Sequence, residues 1–395
     1  MMGSLRLAIS YLSHYWGRTL ILLLCVFLTL VLPISLAILL NQFSRSIVAR
    51  ANATPTVVGA KGSKMDLALH SIYFSAPPES TLKYAAVKEV NESGLARAIP
   101  IHGRFTAEGY PVVGTALEYF SFRGLSIEQG NGLAILGDCV IGAEVAQRLG
   151  LGPGDFMVTD QGSVLDLAGE YSLKLNVVGV LQPSASADDR AVFVDIKTAW
   201  VAEGLGHGHQ DLEGAESEKL LVGEDGGEKV ASSAVLPYTE ITERNFDSFH
   251  FHGDTADFPV SCILVNAPDE DNATLLEGRY QNAEGDVQLI RPPEVIEQLM
   301  GLVFQVKRFF DVNAMLVALA TLMLLGLVVL LSVRLRGREM QTMFRMGCSR
   351  GTMAKIQITE LSIVFAVALC LVGAVCFAVS YYAEPIVQRC IDGSF

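Results

Sequence analysis

The residues of this chain best suited to chemistry are its histidines. His207-Gly208-His209 is followed by Asp211, and further on His250-Phe251-His252 is followed by Asp254. On an extended strand alternate side chains share a face, so each His-x-His pair can present two imidazoles to one ion. Two such pairs can complete the tetrahedral set that Zn²⁺ prefers. The competing reading is four solvated surface histidines, because the first pair lies in an acidic stretch and no ligand spacing ties the pairs together. Asp188-Asp189 beside Arg190 reads either as paired carboxylates or as a charged turn, and the turn is the commoner use of such a cluster. Gly59-Ala60-Lys61-Gly62-Ser63 sets a lysine among glycines without the GxxxxGK[ST] spacing that wraps phosphates, and that motif occurs nowhere in the chain. No catalytic constellation stands out, so the chain is read as non-catalytic.

A second group of residues has a different use. Arg334 to Glu360 carries Arg334, Arg336, Arg338, Arg345, Arg350 and Lys355 against only Glu339 and Glu360. It lies between two apolar segments, Ala314 to Val333 and Leu361 to Tyr382. A third, Leu20 to Leu40, has 21 residues and no charge. A hydrocarbon core about 30 Å thick needs roughly 20 helical residues, so each segment is long enough to span. The first exceeds the roughly 7–15 apolar residues of a signal-peptide core, and Ala51-Asn52-Ala53 lies well past its end, so it is expected to stay as an anchor. Short basic loops remain on the cytoplasmic side, and Arg6 and Arg18 precede the first span. The expected topology is N-terminus inside, residues 43 to 310 outside, the basic loop inside and the C-terminal tail outside.

Charge and composition narrow the partners. Residues 43 to 310 hold 37 acids against 20 bases, a net formal charge of −17. So acidic a surface argues against nucleic acid and against close contact with an anionic leaflet. Only Cys139, Cys262 and the tail Cys390 fall outside; one disulfide there is open, and no CxxC pattern exists.

The outer segment reads as an α/β domain, inserted between transmembrane α-helices. Strand-like runs recur at Thr56 to Gly59, Tyr110 to Val113, Leu173 to Val180, Ala191 to Val194 and Val260 to Val265, with helical stretches at Ile141 to Leu149 and Ile196 to Gly204. Residues 203 to 234 lack any apolar period and read as an exposed, flexible insertion. Pro292-Pro293 opens a helix, Glu294 to Phe310, expected to run directly into the second span. Residues 3 to 17 read either as a short interfacial helix or as an early extension of the first span. The expected domains are 1–42, 43–293 and 294–395.

These features together resemble the MacB/FtsX-like permeases of ABC transporters. Arg336 to Arg350, R-x-R-E-M-Q-T-M-F-R-M-G-C-S-R, is similar to the family's RRREIxxLRAxGxSR pattern. Arg336, Arg338, Glu339, Gly347, Ser349 and Arg350 match in register, while Arg345 sits one place late. Glu360 matches the acidic residue that opens the following span. Gly137 to Asp155 is similar to the segment ilGxxvAxxLGlxxGD, and Leu175 to Val194 to the strand, loop and strand after it.

The resemblance implies a MacB-like periplasmic core domain, an FtsX-like permease block and a bacterial inner-membrane location. It also implies that ATP and Mg²⁺ are bound by a cytoplasmic ATPase subunit rather than by this chain. The short helix in the loop would dock on that subunit, with Arg338, Glu339, Met340, Met343, Phe344, Arg345, Gly347, Ser349 and Arg350 as the coupling residues. Apolar anchors at helical spacing ringed by basic groups are what a helix-in-groove contact uses. Two copies would pair as a homodimer, acting on a periplasmic lipoprotein or binding protein. The family's usual fourth span has no counterpart before Phe395, so either three spans suffice or the chain is shortened. A rival from another class is a membrane-anchored binding or sensor protein, with a metal among its candidate ligands and no coupling to ATP. The basic loop discriminates the two, because a plain receptor has no need of it.

Overall fold

The computed structural model describes residues 2–75, 77–160, 172–207, 221–225, 228–231, 239–241, 246, 249–281, 285–335 and 337–391. The helices are α1 (Met2–His14), α2 (Trp16–Asn52), α3 (Lys64–Tyr73), α4 (Ala85–Glu92), α5 (Glu118–Arg123) and α6 (Ala143–Leu149). They continue as α7 (Ile196–Ala202), α8 (Glu270–Gln281), α9 (Pro292–Leu335), α10 (Gly337–Arg345) and α11 (Arg350–Ile391). Strands β1 (Thr56–Ala60), β2 (Leu82–Lys83), β3 (Arg97–Ala107), β4 (Tyr110–Thr115), β5 (Ile127–Gly130) and β6 (Asp138–Ile141) come first. Next are β7 (Phe156–Val158), β8 (Leu173–Leu181), β9 (Val192–Asp195), β10 (Gly206–His207), β11 (Leu221–Asp225) and β12 (Glu228–Ala231). Last are β13 (Thr239–Glu240), β14 (His250–Phe251), β15 (Pro259–Val260), β16 (Cys262–Asn266) and β17 (Val287–Ile290).

Two compact units result, Met1–Ile47 with Gln298–Phe395, and Val48–Glu297. Both divisions fall inside helices, α2 and α9.

In the Val48–Glu297 unit a mixed sheet runs β13-β8-β6-β9-β4-β3-β16-β1-β17, with β5 and β7 also on β8. Its central strands are buried on both faces, which explains why they read as solid apolar runs without alternation. In β9, Val192 and Val194 join one core cluster while Phe193 joins another. In β1, Val57 and Val58 divide in the same way. This is the period-2 rule of a strand with apolar packing on each side. Cys139 packs on one face and Cys262 on the other, with β9, β4 and β3 between their strands, so the disulfide left open by the sequence does not form. Burial pushes the Cys262 thiol up to about 12.

Several expectations change. Ser261 interrupts the run Val260 to Val265, so β15 leaves to pair with β2 while β16 stays in the main sheet. The sequence missed β3, the longest strand, because Pro100, Gly103 and Arg104 break its pattern; its register shifts between His102 and Phe105. Residues 203–234 are not featureless: β10 pairs with β14, and β11 pairs with β12. The basic segment 334–360 is mostly helix, since α11 already begins at Arg350.

A buried polar knot ties several elements of the Val48–Glu297 unit together. Asp188, 1% exposed, lies in the short 3₁₀ turn Ala187–Arg190. Arg50, near the end of α2, donates to both its carboxylate oxygens at 2.6 and 2.7 Å. The Tyr119 hydroxyl donates to Oδ1 at 2.6 Å and Ser186 Oγ to Oδ2 at 2.9 Å. Arg123 donates to the Ala53 carbonyl and to Thr54 Oγ1 at 3.1 and 2.7 Å. Gly142 makes this possible, because a Cβ there would lie 2.4 Å or less from the Asp188 and Asp189 carbonyls. Burial opposes ionisation of Asp188, but the Arg50 guanidinium and the hydrogen bonds outweigh it and hold the carboxyl below its usual range. The same burial, with Asp188 alongside, pushes the Tyr119 hydroxyl up.

Asp188→Asn should therefore destabilise this unit by about 3–5 kcal/mol, the usual cost of leaving one member of a buried pair. Because the folded carboxyl titrates below its unfolded value of about 3.9, its stabilisation is complete above that pH and is lost as pH falls through the folded value. Thermal melts of the detergent-solubilised chain should show the wild type losing stability more steeply than Asp188→Asn below about pH 4. Parallel acid profiles for the two proteins would refute this assignment.

Candidate functional site

Among the described residues three helices are long and apolar enough to cross a membrane, Trp16–Asn52, Pro292–Leu331 and Ala354–Ala383, and most of their length lies in the unit Met1–Ile47 with Gln298–Phe395. They meet at Leu22, Val26, Leu325, Val364 and Ala368. Polar contacts fix their register: Thr29 Oγ1 lies 3.0 Å from Thr321 Oγ1, and Arg18 pairs with buried Glu360 at 3.7 Å. Elsewhere they expose Met315, Leu316, Leu322, Met323 and Phe377, an apolar surface too extensive for ordinary contact with water. α1 packs against α11 and is separated from α2 only at Tyr15, where the hydrogen-bond ladder continues through Tyr15 N to Tyr11 O and Thr19 N to Tyr15 O.

Between the second and third of these helices sits α10, nine residues long. Arg338, Glu339, Met340, Met343, Phe344 and Arg345 all lie on it. Met340, Met343 and Phe344 are spaced i, i+3, i+4, which puts them on one face of a helix. Phe344 is 54% exposed. Gly347 and Ser349 are punctuation. Met346 N donates to Thr342 O at 3.0 Å and Gly347 N to Phe344 O at 3.0 Å. Gly347 has φ +94°, the left-handed value that ends a helix and that side chains resist. Ser349 Oγ then accepts from Thr352 N at 3.2 Å, capping α11, whose first residue is Arg350. Arg336 lies outside the described residues.

The candidate histidines divide. His207 stands directly opposite His250 in the β10–β14 pairing, and the His250 and His252 rings lie 4.8 Å apart. His209 and Asp211 lie outside the described residues. Asp188 and Asp189 are a turn rather than a carboxylate pair: Asp188 belongs to the Arg50 knot, and Asp189 accepts from Ser184 N at 2.8 Å.

One constellation escaped sequence reasoning. Ser261 Oγ lies 3.5 Å from His102 Nδ1, and His102 Nε2 lies 3.0 Å from Glu203 Oε2, which leaves Arg104 to pair with Oε1 at 3.0 Å. Ser261 and His102 are each 1% exposed, so no substrate reaches the hydroxyl, which already accepts from Gly103 N. This line is a satisfied core network. Its members are separated by 101 and 159 residues, and no local spacing signals it.

The profile of the MacB-like periplasmic core domain family matches residues 19–283, more than half of the chain. The chain belongs to that family. Among solved structures it is similar to the periplasmic region of MacB from Actinobacillus actinomycetemcomitans, at 10% identity and TM-score 0.34 over 62% of this chain and 92% of that one. It is also similar to the extracellular domain of the noncanonic ABC-type transporter YknZ from Gram-positive bacteria, at 11% identity and TM-score 0.32 over 60% and 99%. No curated protein sequence matches. Membership in the MacB-like family places the chain among ABC-transporter permease components.

The MacB-like segment Gly137 to Asp155 spans β6, α6 and the turn before β7. Its polar members do structural work: Asp138 Oδ2 accepts from Ala134 N and Ile135 N, and Asp155 Oδ2 accepts from Gly152 N.

The Gly347 and Ser349 geometry gives a direct expectation. Gly347→Ala and Ser349→Ala should each weaken the α10–α11 junction by about 1 kcal/mol. That corresponds to roughly fivefold faster trypsin cleavage at Arg345 and Arg350 in the solubilised chain, if cleavage follows local opening. Unchanged cleavage in both variants would mean the caps do not hold the junction.

Proposed function

We propose that this chain is the membrane permease subunit of an ABC-type complex, carrying ATP-driven motion from a separate cytoplasmic ATPase to an extracytoplasmic domain. The observation that carries the reading is α10, a short helix set between two long apolar ones, with Met340, Met343 and Phe344 on one face and capping at its C-terminal end. Its basic flanks support a cytoplasmic position under the positive-inside rule, and on this reading the Val48–Glu297 unit lies outside the bacterial inner membrane. α9 runs from Pro292 to Leu335 without a break and serves as the lever. Two copies pair with two ATPase subunits, and the outer domain works on a lipoprotein or other extracytoplasmic partner. Mechanical transmission along the unbroken α9 is preferred to a wide pore. A receptor uncoupled from ATP would not require a docking helix at this position.

The double variant Met343→Asp with Phe344→Asp should reduce co-purification of the ATPase subunit at least tenfold, on the order of one lost apolar anchor pair. The variant is first checked for a wild-type melting profile. Undiminished recovery of the ATPase with a folded variant sinks the docking role of α10.

A further inference from the structure

The Val48–Glu297 unit contains a cavity of about 480 Å³ that plays no part in the transport reading. Small-molecule sites have this size, and they are mostly apolar with a few placed polar groups. Leu136, Phe249 and Phe251 line it from below, each packed on the core cluster around β6 and β8, and Leu133 packs on the cluster of the opposite face. Phe251 stands against Trp200 and Phe258, with ring centroids 6.3 and 5.8 Å away. The loop from Leu133 to Leu136 is pinned, since Asp138 Oδ2 accepts from Ala134 N at 3.0 Å and from Ile135 N at 2.9 Å. Walls fixed in advance lower the ordering cost of binding. Among the described residues of this unit the exposed large apolar side chains are Leu117, Ile135, Leu149, Phe156, Phe246 and Leu275. Three of these six, Leu117, Ile135 and Phe246, line this one cavity. Single exposed apolar side chains need no explanation, but a group of them around a concave opening marks a ligand site.

We infer that this cavity binds a small zwitterion with an apolar body, of the class of apolar dipeptides. The aromatic and aliphatic lining takes the body, and the charges on the lining select the head. Two charged residues reach the cavity, Asp195 and Lys197. Asp195 ends β9 and caps α7: its Oδ1 accepts from Lys197 N at 2.9 Å, which fixes where the carboxylate stands. Lys197 is exposed and brings the opposite charge on a flexible stem. A ligand with one charge is attracted by one of these groups and opposed by the other. A ligand with both meets both, its ammonium at Asp195 and its carboxylate at Lys197, through charge-assisted hydrogen bonds. A purely anionic amphiphile is further opposed by the net charge of −17 on residues 43 to 310. The described lining holds no serine, cysteine or histidine, so the site is suited to binding and not to covalent chemistry.

The test uses the full chain in lipid nanodiscs, where no detergent competes for the cavity, and the probe is the dipeptide leucyl-phenylalanine. Calorimetric titration should give one saturable site per chain. Asp195→Asn removes the charge but keeps the cap, because asparagine caps as well as aspartate, and it should weaken binding about tenfold. Lys197→Gln should do the same. The N-acetylated dipeptide, which lacks the ammonium, should bind the wild type and Asp195→Asn equally. The dipeptide amide, which lacks the carboxylate, should bind the wild type and Lys197→Gln equally. Phe246→Ala, at an exposed side chain, should weaken all three ligands, and melting profiles check that each variant is folded. Absence of saturable heat with the dipeptide in the wild type overturns the site. Affinity unchanged by both charge substitutions overturns the zwitterion assignment, and affinity unchanged in Phe246→Ala overturns the location. None of these outcomes bears on the docking role of α10.

Discussion

The outer unit is organised around one buried ion pair, Arg50 with Asp188. Removing two charges from water costs several kcal/mol per ion, and attraction between them offsets this only when the remaining hydrogen-bonding capacity is filled. Here it is filled: Asp188 accepts from Arg50, Tyr119 and Ser186, and Arg50 also reaches the Ile72 carbonyl. Such a pair is weak evidence for added stability, but removing either partner would strand the other charge in the interior. It therefore dictates which surfaces meet. The end of α2, the 3₁₀ turn, α5 through Tyr119 and Arg123, and the β6–α6 junction at Gly142 have to converge on one point.

That point also shows why the sequence was legible in some places and opaque in others. The three apolar helices declare themselves by length and absence of charge, and β9 and β16 by unbroken β-branched and aromatic runs. Gly347 and Ser349, matched to the family pattern, stand at the α10–α11 junction as a left-handed helix end and a serine N-cap. Arg50, by contrast, reads as one more basic residue beyond a span, and Asp188-Asp189-Arg190 as a solvated turn. Their partnership spans 138 residues, and local pattern carries no information across that distance. The Ser261–His102–Glu203 line was hidden for the same reason. β3 was hidden by its own bulge, since Pro100, Gly103 and Arg104 look like loop chemistry until Thr115 Oγ1 is seen donating to the Pro100 carbonyl.

α10 poses a different problem of stability. An isolated helix shorter than about 12 residues is marginal in water, because the nucleation cost is spread over too few hydrogen bonds. Nine residues cannot hold themselves helical by propensity alone. Tethering between α9 and α11, with a left-handed glycine and a serine cap in the four residues that follow, supplies part of what is missing. An apolar face at Met340, Met343 and Phe344 means that burial against another surface would supply more. Docking of the kind proposed for α10 would therefore also complete its ordering.

The two helices that pass through the unit boundaries differ in stiffness for reasons visible in their sequences. α9 carries its prolines at Pro292 and Pro293, in the first turn, where the missing N–H groups have no intrahelical partners to lose. From there 44 residues continue to Leu335, about 66 Å at 1.5 Å per residue, without an internal proline. α2 has Pro33 in its interior, which removes one hydrogen bond and crowds the preceding turn. α9 therefore has no internal proline to interrupt its hydrogen-bond ladder, whereas α2 has one close to its middle. α2 also ends in the Arg50 and Arg123 contacts, where its last turn is fastened to the sheet domain. Pro33 interrupts the ladder in the apolar part of α2, and the Arg50 contacts satisfy the polar groups at its other end.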